Sequence, residues 1–115
     1  MRVPKDLMAA SATPLVLSLL HREDSYGYEL IRNIRTLSNG ELEWQEGMLY
    51  PLLHRLEQNG MIESYEGTAD NGRKRKYYRL LPKGLKDLAE QRRSFERISG
   101  LLDQVTTFNP GVSHA

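Results

Sequence analysis

The sequence contains no cysteine among its 115 residues. Disulfide bonds, cysteine nucleophiles and thiolate metal sites are therefore excluded. The absence fits a reducing compartment, and we expect the protein to work in the cytoplasm. Three histidines, His21, His54 and His114, are scattered along the chain without the spacing of metal ligands, so we expect neither a metal nor another cofactor.

Long apolar runs are also missing. The apolar stretch near the amino terminus is interrupted by Ser11, Thr13, Pro14 and Ser18. A stretch broken in this way predicts neither a signal peptide nor a membrane span. The length and the ordinary proportion of hydrophobic residues (39%) are those of one small globular domain.

Catalytic motifs are absent as well. There is no glycine-rich phosphate loop and no serine elbow in the sequence. Glu41, Glu43 and Glu46 lie close together, but nothing marks two of them as an acid–base pair. We therefore expect a protein that is not an enzyme.

The net charge of +1 hides an uneven distribution. Residues 73–97 contain ten basic and three acidic side chains, a local charge of +7, and the rest of the chain carries −6. A phosphate backbone responds to a local patch rather than to the average charge. The near-neutral total is therefore compatible with nucleic-acid binding.

The order of predicted segments is helix, helix, helix, hairpin, helix. Apolar spacing predicts helices over residues 5–22, 28–38 and 45–59, with Ser25 as the N-cap of the second. Residues 61–66 and 74–81 alternate as two strands around a loop with an Asn-Gly turn signal. Pro82 is well placed as the first residue of a last helix over residues 82–106. This order predicts a mainly α winged helix-turn-helix with a small β-hairpin.

The third predicted helix has an apolar and a polar face. Leu49, Leu52, Leu53 and Leu56 form the inner face. A helix that enters the major groove of DNA needs an outer face that reaches bases and phosphates. The outer-face residues that we expect to contact DNA are Gln45, Gly47, Met48, Tyr50, Pro51, His54 and Arg55. Tyr50 fits equally well as a groove contact or as a structural anchor.

The predicted hairpin carries four consecutive cations, Arg73, Lys74, Arg75 and Lys76. Such a run is commonly a solvated turn, because like charges repel one another. Here it follows a candidate recognition helix, which favours phosphate contacts by a wing. Tyr78 and Leu80 are predicted to pack inward, with Tyr77 on the opposite face beside Arg75 and Arg79.

The last predicted helix is longer than one small core needs. Leu88, Phe95 and Leu102 recur every seven residues, which is typical of packing against another helix. We therefore expect a winged helix-turn-helix over residues 1–81, a dimerisation helix over residues 82–108 and a disordered tail over residues 109–115.

Several of these segments together resemble the PadR family of bacterial transcriptional regulators. The matching segments are Tyr-Gly-Tyr-Glu-Leu at 26–30, Glu-Gly-Met-Leu-Tyr-Pro at 46–51 with its continuation to Ile62, Gly-Arg at 72–73 and Arg-Lys-Tyr-Tyr-Arg-Leu at 75–80. The resemblance covers most of residues 7–90. Three features depart from it: Met48 replaces a hydroxyl residue, Leu81-Pro82 replaces a Thr, and the last helix has Phe95 but no tryptophan for drug stacking.

The resemblance implies a homodimer formed by the first and last helices, bound to double-stranded DNA at an inverted-repeat operator. It further implies repression, often relieved by a small aromatic or cationic effector, in the branch of the family with a single C-terminal helix. The expected interface residues are Leu7, Leu15, Leu88, Phe95, Ile98 and Leu102. A winged-helix protein-interaction module without a DNA role is the alternative, since fold alone does not determine function.

Overall fold

The computed structural model describes residues 3–111, so His114 and residues 112–115 of the expected tail lie outside the described residues. Within these residues, four helices and three strands follow one another. Their bounds are α1 Lys5–Arg22, β1 Ser25–Tyr26, α2 Gly27–Leu37, α3 Glu46–Gln58, β2 Ile62–Thr68, β3 Lys74–Leu80 and α4 Pro82–Thr107. The predicted mainly α winged helix-turn-helix is confirmed.

The core lies where α1, α2 and α3 meet one face of the sheet and the start of α4. Val16 and Leu17 of α1, Leu30 of α2 and Leu49 and Leu53 of α3 are fully buried there. Apolar side chains at three- and four-residue spacings line one side of each helix, and burying that side drives the helices together. The inner leucine face predicted for α3 is buried throughout.

The sheet has a third strand that the sequence pattern did not predict. Its order is β1-β3-β2, with both pairings antiparallel. Ser25 pairs with Tyr78 and Tyr26 pairs with Tyr77, so the prediction of Ser25 as an N-cap is wrong. The edge of β3 holds Ser25 in extended backbone, its hydroxyl donates to the Glu23 carbonyl, and Tyr26 occupies the N-cap position.

The turns that position the wing use glycines with positive φ. Gly60 follows α3 at φ +74°, and Gly72 lies in the hairpin loop at φ +81°. Side chains other than glycine rarely adopt this conformation, so both turns favour glycine. The Gly72 amide donates to the Ala69 carbonyl, which closes the loop between β2 and β3.

Helix α4 projects beyond the core. Its 26 residues span roughly 39 Å at about 1.5 Å per residue. Only Gly84 and Leu88, near its start, are buried. The radius of gyration is 17.7 Å, whereas a compact domain of this length would have about 13 Å. The second half of α4 therefore presents its side chains to the surroundings.

Candidate nucleic-acid interface

The outer face of α3 is exposed along its length. Gln45 precedes the helix as its N-cap, and the exposed residues of its outer face include Gly47, Tyr50, Pro51, His54 and Arg55. Met48 is different, because it is partly buried and packs against the core. It lies one helical turn before the buried Leu52, which places both on the same side of the helix. Met48 therefore offers less surface on the outer face than its neighbours do, and its contact with DNA stays a prediction.

Tyr50 connects α3 to the start of α2. A Cβ built on Gly27 would lie 2.6 Å from the Tyr50 hydroxyl oxygen, so the phenol ring occupies that space. Partial burial raises the pKa of Tyr50 above its ordinary value, Glu46 adds to the rise, and Arg75 opposes it. Tyr50 is nevertheless 42% exposed. The side chain both anchors the helix and leaves part of its surface on the outer face.

The hairpin carries its cations beside α3. Strands β2 and β3 pair from Ile62↔Leu80 to Thr68↔Lys74, which brings Arg73, Lys74, Arg75 and Lys76 to the loop end. Lys74 lies 3.6 Å from Glu66, and Lys76 lies 4.0 Å from Glu57 of α3. Two of the four cations thus have carboxylate neighbours. The predicted run is a basic wing that is partly neutralised by its own chain.

Glu57 ties the carboxyl-terminal end of α3 to the hairpin. Its carboxylate accepts a hydrogen bond from the Ser64 hydroxyl at 2.5 Å and approaches Lys76. Sequence reasoning gave Glu57 and Ser64 no role, because their contact forms only when the turn after α3 folds β2 back beside the helix. Like the approach of Lys76, this contact connects the wing to α3.

A row of three tyrosines crosses the outer face of the sheet. Tyr26 meets Tyr77 edge to face with ring centroids 5.5 Å apart, and Tyr77 stacks on Tyr65 at 5.7 Å. Tyr78 is buried on the opposite face, as predicted. The row has arginines at both ends, Arg75 over Tyr26 at 5.2 Å and Arg79 over Tyr65 at 4.5 Å.

Asp24 fastens the turn after α1 to this outer face. The Tyr65 hydroxyl donates to the Asp24 carboxylate at 2.6 Å, which raises the pKa of Tyr65. Arg79 lies 3.7 Å from Asp24 and 3.5 Å from Glu63. These contacts join the helices and the hairpin on the face away from the core.

The residues expected at a dimer interface differ in their solvent exposure in the single chain. Leu7, Phe95, Ile98 and Leu102 are exposed, and Leu15 is partly buried against the core. Leu88 is only 2% exposed, because it packs into the core of its own chain. It therefore offers almost no surface to a partner.

Residues 3–111 contain neither a membrane-spanning helix nor a cluster of metal ligands. In this range no helix is both long and apolar enough to cross a membrane. Within the same residues, no group of three or more His, Asp or Glu side chains is arranged to hold a metal ion.

Comparison with known proteins identifies the family. Residues 16–90 match the profile of the Transcriptional regulator PadR-like family. An uncharacterized protein of Lysinibacillus sphaericus is 32% identical over 101 residues, 88% of this chain and 93% of that protein. A transcriptional regulator from Clostridium thermocellum superposes with a TM-score of 0.80 at 33% identity, covering 89% of this chain and 96% of the other.

A PadR-like transcriptional regulator from Bacillus cereus superposes with a TM-score of 0.79 at 28% identity, covering 91% of this chain and 100% of the other. The family match spans the end of α1, all of α2 and α3, and the hairpin, and so includes the exposed face of α3 and the basic wing. The chain belongs to the PadR-like family, and it is a transcriptional regulator rather than an enzyme.

Proposed function

We propose that this transcriptional regulator binds an inverted-repeat operator as a homodimer and represses transcription. One observation carries the proposal: the exposed face of α3 lies beside the basic wing, and Glu57 joins the two. This arrangement lets a recognition helix enter the major groove while the neighbouring wing contacts phosphates. The DNA contacts proposed for α3 are those of Gln45, Gly47, Tyr50, Pro51, His54 and Arg55.

The exposed apolar side of α4 supports the homodimer. Phe95, Ile98, Leu102 and Val105 are each more than two-fifths exposed and share one side of the helix. Apolar surface removed from water contributes about 25 cal/mol per Å², so pairing with a second copy would bury a continuous stripe favourably. A twofold dimer would present two recognition helices, and this symmetry matches an inverted repeat.

A groove between α1 and α4 supports an effector site. Its volume is about 370 Å³, and its lining includes Leu15, Phe95, Arg92 and Glu96. An aromatic ring and a carboxylate suit a small aromatic or cationic compound. In the proposed dimer this groove adjoins the interface, so an occupant would alter the spacing of the two recognition helices.

Selection of bound sequences from random double-stranded DNA by the purified full-length protein tests the proposal. We expect an enriched palindromic motif, because each half-site would contact one protomer. Placed next to a promoter, that motif should lower reporter transcription when the protein is expressed. Failure to enrich or shift any DNA at low salt would favour a protein-interaction module, and raised reporter transcription would contradict repression.

A further inference from the structure

The four cations of the wing are held in different ways. Lys74 and Lys76 are exposed and lie near Glu66 and Glu57. Arg73 is exposed at the end of the loop. Arg75 alone is half-buried, and its guanidinium carbon lies 5.2 Å from the centroid of the Tyr26 ring. An aromatic face attracts a guanidinium and restrains its orientation. Lys76 also lies over a ring, with its Nζ 5.6 Å from the centroid of Tyr78, but an ammonium has no planar set of donors to orient.

Tyr26 is itself held in place. Its backbone pairs with Tyr77 as part of β1, and the two rings meet edge to face. Tyr77 is fixed in turn, because its ring stacks on Tyr65 and fills the space in which a side chain at Gly67 would lie. The surface beneath Arg75 is therefore part of the sheet rather than a mobile side chain.

This surface adjoins the recognition helix. Tyr26 is followed directly by Gly27, and Gly27 is the residue against which Tyr50 of α3 packs. The charge of Arg75 acts on Tyr50, where it opposes the rise in the pKa of the phenol. Arg75 therefore lies where the first strand, the start of α2 and the middle of α3 come together.

The terminal nitrogens of Arg75 are the donors left for an outside partner. Its Nε is buried without a hydrogen-bond partner among the residues that the structure describes, so it cannot itself reach a phosphate. A stacked guanidinium keeps its terminal N–H groups as donors in a fixed plane, which matches two oxygens of one phosphate. A lysine ammonium at the same point would keep the charge but lose the fork of donors.

We infer that Tyr26 is a positioning residue that holds the Arg75 guanidinium for a two-pronged contact with one DNA phosphate beside α3. Lys74 and Lys76 contribute charge without a planar pair of donors. The inference rests on the proposed DNA-binding function and adds to it a residue, Tyr26, that lies outside both the recognition helix and the wing.

Binding to two duplexes tests the inference: one carries the sequence selected from random DNA and the other a shuffled sequence of equal length. Arg75→Lys should weaken binding about ten-fold on both, since hydrogen bonds to charged groups are lost while the charge is kept. Arg97→Lys is the matched control, with the same chemical change at an exposed arginine of α4 outside the wing, and should bind like the wild type.

Variants of Tyr26 test the positioning role. Tyr26→Phe keeps the ring and should bind normally, whereas Tyr26→Leu should lose about as much affinity as Arg75→Lys. The Tyr26→Leu/Arg75→Lys double variant should be no weaker than either single variant, because both changes break one contact. Additive losses, or normal binding by Tyr26→Leu, would overturn the positioning role.

The remaining outcomes separate this inference from the proposed function. Equal binding by Arg75→Lys and Arg97→Lys overturns the inference alone, even if Tyr26→Leu does not fold. A loss by Arg75→Lys that is confined to the selected duplex overturns the phosphate contact. Failure of the wild type to bind either duplex at low salt overturns both the inference and the proposed function.

Discussion

The phenol ring of Tyr50 occupies the space in which a side chain at Gly27 would lie, with the hydroxyl oxygen 2.6 Å from the position of a Cβ. Gly27 is the first residue of α2, and Tyr50 belongs to the first half of α3. The close approach of these two helices in the helix-turn-helix thus depends on the absence of a single methyl group.

Replacing Gly27 by Ala should destabilise the protein by about 1–3 kcal/mol, because the methyl group overpacks the contact with Tyr50. Thermal or denaturant unfolding measures the change. Gly47→Ala is the matched control: nothing lies within 4 Å of its Cβ position, and alanine favours a helix over glycine by about 0.5–1 kcal/mol. Equal stability of the wild type and Gly27→Ala would show that the ring moves aside freely.

Replacing Arg73, Arg75 and Lys76 together by Ala should weaken binding to every DNA sequence. Each lost phosphate contact should also reduce the slope of log K against log salt by about 0.9, since fewer counterions are released. Dissociation constants over a salt series measure both effects. If affinity and slope stay at their wild-type values, the wing does not contact phosphates.

Replacing Glu57 by Gln should strengthen DNA binding. The carboxylate lies 4.0 Å from Lys76, and Gln would free that cation for phosphate. Exposed ion pairs contribute about 0.2–1 kcal/mol, which corresponds to a gain of up to about five-fold. Glu90→Gln makes the same change of charge on α4 and controls for net charge. An equal gain in DNA affinity in both variants would mean that Glu57 does not restrain Lys76 specifically.

Replacing Leu102 by Glu should convert the proposed dimer into monomers. Leu102 is 65% exposed in the single chain and lies on the apolar side of α4. A carboxylate there would have to lose its hydration in an interface, which is strongly unfavourable. Sedimentation measures the mass, and Gln104→Glu on the polar side of the same helix is the control. A monomeric wild type, or a dimeric Leu102→Glu, would contradict the interface.

Most elements of the fold could be predicted from the sequence because their signals are local. The spacing of the α3 leucines, the glycines after α3 and in the hairpin loop, and Pro82 at the start of α4 each act within a few residues. These signals placed the helices and the hairpin close to their observed bounds. The exposed outer face of α3 and the cations at the loop end of β3 followed from the same patterns.

The tertiary structure decided what depends on residues far apart in the chain. Ser25 became a strand residue because the edge of β3 was available to pair with it. Leu88 entered the core of its own chain, because the start of α4 packs against α1.

The same holds for the contacts of the wing. Tyr26 with Arg75, and Glu57 with Lys76, are brought together only by the register of three strands against two helices. The sequence by itself determined which segments are helices and strands and where the positive charge lies. The packing of those segments decided which charged side chains contact an aromatic ring or a carboxylate. Such contacts form only after distant parts of the chain have packed together.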